Sequence, residues 1–183
     1  MSCHANGSKS RLVCNEKLGV ERAKDGQLYA ILELDESYSA TCFADGVQVA
    51  TGCTFGKGNI SKTGYGKWGL TLIDRKSKKA VRVVPKAEVM QKNKETEFMK
   101  MRKSGIPASQ MPEEVVQPLF DTVMNAPFEM LCNISEVFTY DWQDKPHTFD
   151  TIVCSECKEI VIERNARIKA GKILCIPCSG YEK

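Results

Sequence analysis

The chain has 183 residues, 42% hydrophobic and 27% charged, enough for one full domain with room for a small second one. A net charge of +3, with cations and acids interleaved, gives no argument for a nucleic-acid binder. No apolar run approaches the ~18–20 residues needed to cross a bilayer. The polar start MSCHANGSKSR lacks the apolar stretch of a signal peptide. The expectation is a cytoplasmic protein, in which nine cysteines serve as thiols or metal ligands rather than disulfides.

In chain order, RLVCNEKL (11–18) suits a short amphipathic helix carrying Leu12, Cys14 and Leu18 on one face, with Gly19 as its stop. QLYAILELD (27–35) reads as a strand. CFADGVQVATG (42–52) fits a second short helix that ends at Gly52. KWGLTLIDRKSKKAVRVVP (67–85) reads as a hairpin with RKSKK in the turn, and Trp68 as strand packing. Residues 86–105 have strong helix propensity and end at Gly105, and their methionines read as a helix face. IPASQMPEE is a linker, and the next helix is interrupted by Pro127. ISEVFTYDW (134–142) alternates as a strand, with Trp142 packing at its end. The polar QDKPHTFD, with an exposed His147, marks a boundary. Cys14 and Cys132 lie among apolar residues and read as core. These elements predict an α+β fold: a core domain (1–148) of antiparallel or mixed sheet packed with helices, then a small module (149–183).

That module carries the strongest local signal, CSECKEIVIERNARIKAGKILCIPC. Cys154 and Cys157 form one CxxC pair and Cys175 and Cys178 another, with seventeen residues between the pairs. Two such knuckles can set four thiolates tetrahedrally around Zn²⁺ at ~2.3 Å, with all four positions filled by protein, the structural arrangement. So short a segment cannot bury a useful core, and metal binding supplies its folding energy. Zinc is the default metal and iron the other candidate. The sequence between the pairs predicts a two-strand ribbon with Gly171 in its turn, in a treble-clef or zinc-ribbon module.

TGCTFGKGN (51–59) is the second feature. A phosphate loop needs G-x₄-GK-[ST]; here three residues separate Gly52 from Gly56, Gly58 follows Lys57, and the stretch trails a helix instead of opening one. Nucleotide hydrolysis is therefore not expected. Two readings of Cys53 remain open. It could be a small buried hydrophobe. It could instead sit in a site with Cys42 and Asp45, its thiolate favoured by Lys57.

The run LELDESYSATCFADGVQVATGCTFGKGNI through YGKWGLTLIDRKSKKAVRV resembles the FmdE family, proteins related to one of the subunits of formylmethanofuran dehydrogenase. The cysteine-rich tail, with its GK and CxPC, resembles that family's C-terminal zinc finger. The resemblance spans most of 27–85 and 150–183. It implies an α+β core with a cleft, a treble-clef zinc finger and dimers. It also implies that Cys42, Asp45, Gln48 and Cys53 line the cleft, with Thr51, Gly52, Lys57 and Asn59 nearby. The family's N-terminal HGHxCPG-like motif is not reproduced. Cys3 could stand for its cysteine and His4 could substitute as a ligand, while the upstream histidine is missing. The resemblance implies a metal-binding accessory protein with a structural zinc finger and room for a second metal in the cleft. It further implies a homodimer, or a partner enzyme subunit, in a methanogenesis-related setting. The alternative is a cysteine- or metal-dependent enzyme, with Cys53 as nucleophile or ligand and Asp45 as acid/base. No catalytic set is evident in the chain.

Overall fold

The computed structural model describes residues 13–36, 41–144 and 149–181; Cys3, His4 and His147 lie outside them. The chain divides into two compact units, Met1–Trp142 and Gln143–Lys183. Among the described residues no helix is long and apolar enough to cross a membrane.

In the first unit, residues 13–18 are helical (α1). Gly19 ends the helix in the left-handed region at φ 66°. The Gly19 and Val20 N–H groups donate back to Glu16 and Asn15 carbonyls at 3.1 and 3.0 Å, a Schellman closure that needs a residue without Cβ strain. Strand β1 (Leu28–Leu32) follows, then helix α2 (Thr41–Thr51) and strand β2 (Ile60–Lys62). Strands β1 and β2 pair in parallel, so β1, α2 and β2 form a crossover unit. Strands β3 (Leu70–Asp74) and β4 (Lys79–Pro85) form the expected hairpin, whose turn spans residues 75–78. Strand β3 also pairs antiparallel with β1, giving a mixed sheet in the order β2-β1-β3-β4-β5.

Alternation sets the core face: Leu28, Ala30 and Leu32 of β1 meet Leu70 and Leu72 of β3, Val81 and Val83 of β4, and Phe43, Ala44 and Val47 of α2. Each fully buried Phe, Val or Leu side chain contributes about 1.5–3 kcal/mol. Cys14 and Cys132 join this cluster, and burial pushes each thiol up to about 12, so both are neutral core residues.

Two expected elements are subdivided. The helix over 86–105 is two, α3 (Ala87–Lys94) and α4 (Glu97–Lys103), because Thr96 caps the second by accepting from the Met99 N–H. Helix α5 (Glu113–Asn125) retains Pro118 inside it, whereas Pro127 separates it from α6 (Phe128–Leu131), as expected. The strand over 134–142 is likewise two short strands, β5 (Cys132–Ile134) and β6 (Phe138–Thr139), both on β4. Between the pairs Val83↔Ile134 and Ala80↔Phe138, the three residues Ser135–Val137 oppose the two residues Val81 and Arg82, which is a bulge. Ser135 Oγ accepts from the Arg82 N–H at 2.9 Å and holds it.

Just beyond β1, the buried Glu33 receives Arg82 Nε and Nη2 on its two carboxylate oxygens, at 2.5 and 2.7 Å. A Cβ at position 69 would lie 2.6 Å from the Glu33 carboxyl carbon, so Gly69 is required for this approach. The Arg82 hydrogen bonds lower the Glu33 pKa against the opposing effect of burial. Replacing Arg82 by Leu leaves the carboxylate without its fork and is expected to cost about 2–3 kcal/mol at pH 7. Because the folded-state value lies below the unfolded one, the pair stabilises above about pH 4.3 and fades as pH falls below it. Urea denaturation of both proteins at pH 7 and pH 3 should show a gap that narrows in acid; an equal gap at both would contradict this.

In the second unit, strands β7 (Thr151–Val153) and β8 (Ile160–Ile162) form one hairpin and β9 (Arg167–Lys169) and β10 (Lys172–Leu174) another, followed by helix α7 (Ile176–Ser179). The expected single ribbon is thus two hairpins, because β8 turns back on the first knuckle. Ala170 and Gly171, at φ 49° and 74°, make the tight turn of the second.

Candidate metal centre and the signature loop

The first knuckle closes the β7–β8 hairpin: the Cys154 N–H donates to the Glu159 carbonyl at 2.9 Å and the Lys158 N–H to the Cys154 carbonyl at 3.1 Å. Lys158 takes the left-handed conformation, φ 63°, that brings the chain round. The second knuckle is the start of α7, where Cys175 is the N-cap and its sulfur accepts from the Cys178 N–H at 3.4 Å. The Cys175 N–H in turn donates to Cys154 Sγ at 3.3 Å, and the Ser155 N–H to the Ile173 carbonyl at 2.9 Å. These bonds join the two knuckles.

All four sulfurs lie within 4.8 Å of one another, and Cys157 Sγ is 3.9 Å from Cys175 Sγ. A tetrahedron with metal–sulfur bonds of ~2.3 Å has edges of about 3.8 Å, so the set fits one ion with little movement. The N–H groups aimed at sulfur favour thiolate, and the one from Cys175 is the main cause that brings Cys154 down to about 6. The neighbouring Cys175 sulfur is the main cause that pushes Cys178 up to about 12, as expected where four thiols compete to lose a proton with no cation between them. The apolar core is small: Cys154, Leu174 and Cys175, with Val161 and Cys178 against them. Three of those five residues are cysteines of the four-sulfur set, so an ion could serve as the cross-link that apolar packing does not supply.

The TGCTFGKGN loop has a different role. Phe43, Ala44, Val47 and Ala50 of α2 face the core, whereas Asp45 and Val49 face solvent. Cys53 is tied to the far end of the helix, its N–H donating to Thr51 Oγ1 at 3.0 Å. From Cys42 to Thr51 a helix rises ~13 Å, while two thiolates on one ion lie under ~5 Å apart. Cys42 and Cys53 therefore do not share an ion, and the expected convergence of Cys42, Asp45 and Cys53 is not what this helix builds. Among the described residues no second group of three metal donors meets.

Gln48, Cys53 and Lys57 do come together, as parts of a self-bonded turn. Gln48 Oε1 accepts from the Phe55 N–H at 3.3 Å, and Lys57 Nζ donates to the Gly52 carbonyl at 3.2 Å. Asn59 Oδ1 accepts from the Thr54 N–H at 2.7 Å, and its Nδ2 donates to the Asp25 and Leu28 carbonyls. Cys53 is fully buried. Burial raises its thiol pKa, against the Thr51 hydrogen bond and the charges of Lys57 and Arg22, so it is a neutral thiol and not an activated nucleophile. Sequence reasoning placed Asn59 near the site but missed that it is the bridge to the segment before β1. An Asn at the end of a glycine-rich turn was the available signal.

Gly52 has φ 74°, and a methyl group there would collide with the Ala23 carbonyl oxygen; the Ala23 N–H donates to the Thr51 carbonyl at 2.8 Å. Gly52→Ala is thus strained and blocked by backbone. It is expected to lower stability by about 3 kcal/mol or more, read as a fall in thermal midpoint; a change under ~1 kcal/mol would show that Ala23 can withdraw.

Together these describe a two-part protein, an α+β core and a small module whose four cysteine sulfurs could hold a metal ion. The profile described as FmdE, Molybdenum formylmethanofuran dehydrogenase operon, matches residues 6–133, and the chain belongs to the FmdE family. A protein of Archaeoglobus fulgidus named "Probable S-adenosyl-L-methionine-binding protein" is 31% identical over 185 residues, covering 96% of this chain and 48% of the other. The chain thus spans about half the length of that curated relative. The crystal structure of a tungsten formylmethanofuran dehydrogenase FmdE-like protein from Syntrophus aciditrophicus superposes with a TM-score of 0.66 at 19% identity, over 98% of this chain and 84% of that one. The structural likeness shows the fold.

Proposed function

We propose that this is a metal-binding accessory protein of the FmdE type, whose four-cysteine module holds one structural Zn²⁺ and presents a surface to another polypeptide. The observation that carries the reading is the meeting of four sulfurs within 4.8 Å. The occupied site is closed, with no position left for water or substrate, so its ion stabilises rather than catalyses. Exposed Ile160 and Ile168 on the two hairpins support contact with a second chain. Metal analysis of chelator-free protein should give one zinc per chain, lost in Cys154→Ser and retained in Cys53→Ser. Retention in Cys154→Ser, or a second equivalent lost in Cys53→Ser, would overturn it and restore a core metal.

A second reading concerns a small-molecule ligand of the core. The likeness to the Archaeoglobus fulgidus protein covers nearly all of this chain. A hollow of about 300 Å³ lies between residues 20–28 and Asp74, at the lower end of small-molecule sites. Its wall is the segment that Gly52 and Asn59 hold in place. Glu21 and Asp74 supply carboxylates for hydroxyl donors, and Arg22 and Lys24 on the same lining supply cations for a carboxylate. Calorimetry with S-adenosyl-L-methionine should show binding that Asp74→Ala weakens at least about tenfold; no heat with the unmodified protein removes this reading.

A further inference from the structure

The four thiols are not equivalent in their surroundings. Cys154 and Cys175 are buried and Cys178 is half-buried, whereas Cys157 is exposed at the rim of its knuckle. Its sulfur lies 3.9 Å from that of Cys175 and 3.7 Å from the Glu159 carboxylate. A bound Zn²⁺ keeps all four sulfurs deprotonated, so what separates them toward an oxidant is access.

We infer that Cys157 is an oxidative modification site through which peroxide opens the metal centre, with Cys175 as the resolving thiol. This rests on the zinc reading above. The Cys157 thiolate attacks a peroxide oxygen, an S–O bond forms, the O–O bond breaks, and the departing hydroxide takes a proton to become water. The Cys175 thiolate then attacks the Cys157 sulfur. An S–S bond forms, the S–O bond breaks, and the departing hydroxide takes a proton to become a second water. Two thiolates have given two electrons to one peroxide. Cys154 and Cys178 alone hold the ion weakly, and Zn²⁺ departs. Because Cys175 is also the N-cap of α7, the helix start loosens in the same event.

The test uses the full chain loaded with zinc, whose content is measured first; a chain that takes up no zinc fails the metal reading itself. One equivalent of hydrogen peroxide is then added, zinc release is followed with a chromogenic chelator, and the thiols are mapped by differential alkylation. Among the four ligands Cys157 should be the first modified, a Cys157–Cys175 disulfide should follow with one zinc released per disulfide, and dithiothreitol with zinc should reverse both. Cys157→His, which keeps four donors, should release zinc at least about tenfold more slowly. First modification at Cys154, Cys175 or Cys178, or equal release from the variant, overturns the inference. Should the variant not hold zinc, the order of modification in the unmodified chain decides alone.

Discussion

The core unit is organised around a contact that leaves no room for a side chain. Gly52 lies against the Ala23 carbonyl, in a conformation that L-residues with a Cβ rarely adopt. The contact sets where α2 must stop and where the chain must turn to enter β2. Asn59 fastens the far side of that turn to the backbone just before β1. The crossover helix, both parallel strands and the segment from α1 are thereby fixed relative to one another by the Ala23–Thr51 backbone bond and by the Asn59 side chain on main-chain carbonyls, and hydrophobic packing of α2 on β1 fills the space so defined. The polar residues of TGCTFGKGN and its helix are accordingly spent on architecture: Thr51, Gln48, Lys57 and Asn59 each satisfy a main-chain group of the turn or its neighbours.

Much of this was legible in the residues. Helix α2 ends at the expected glycine, the β3–β4 hairpin turns within the expected lysine-rich stretch, and the four C-terminal cysteines converge as their spacing requires. What was not legible depends on distance along an element or on a cap. One of the two open readings set Cys53 in a site with Cys42, but the helix read between them, at its full length, keeps the two apart. Thr96 sits inside a run of strong helix formers, and only its side-chain hydrogen bond reveals that it starts a new helix. The bulge at Ser135–Val137 was hidden by an alternating pattern that continues across it. Glu33 and Arg82 are far apart in sequence, and nothing in either local pattern pairs them.

The two units obtain their order from different physics. The first buries a continuous apolar cluster across several strands and helices, and polar links such as Glu33–Arg82 refine it. The second has a buried cluster of three residues, two of them cysteines whose sulfurs would be bonded to an ion. A loss of one methylene in the first unit is a local cavity; in the second, with an ion bound, a loss of one sulfur would remove one of its four ligands.

The division of ligands between a local turn and a distant helix start has a kinetic consequence. An ion bound at this site, on meeting the unfolded segment, would find Cys154 and Cys157 within a single turn. It would then wait until the chain doubles back to deliver Cys175 and Cys178. That return is made by the β9–β10 hairpin, whose formation takes about 1–10 µs for such elements. The Ala170–Gly171 turn would then set how soon the second pair of ligands arrives: a residue there that resists positive φ would prolong a half-liganded state, in which competing thiols and chelators could still take an ion away.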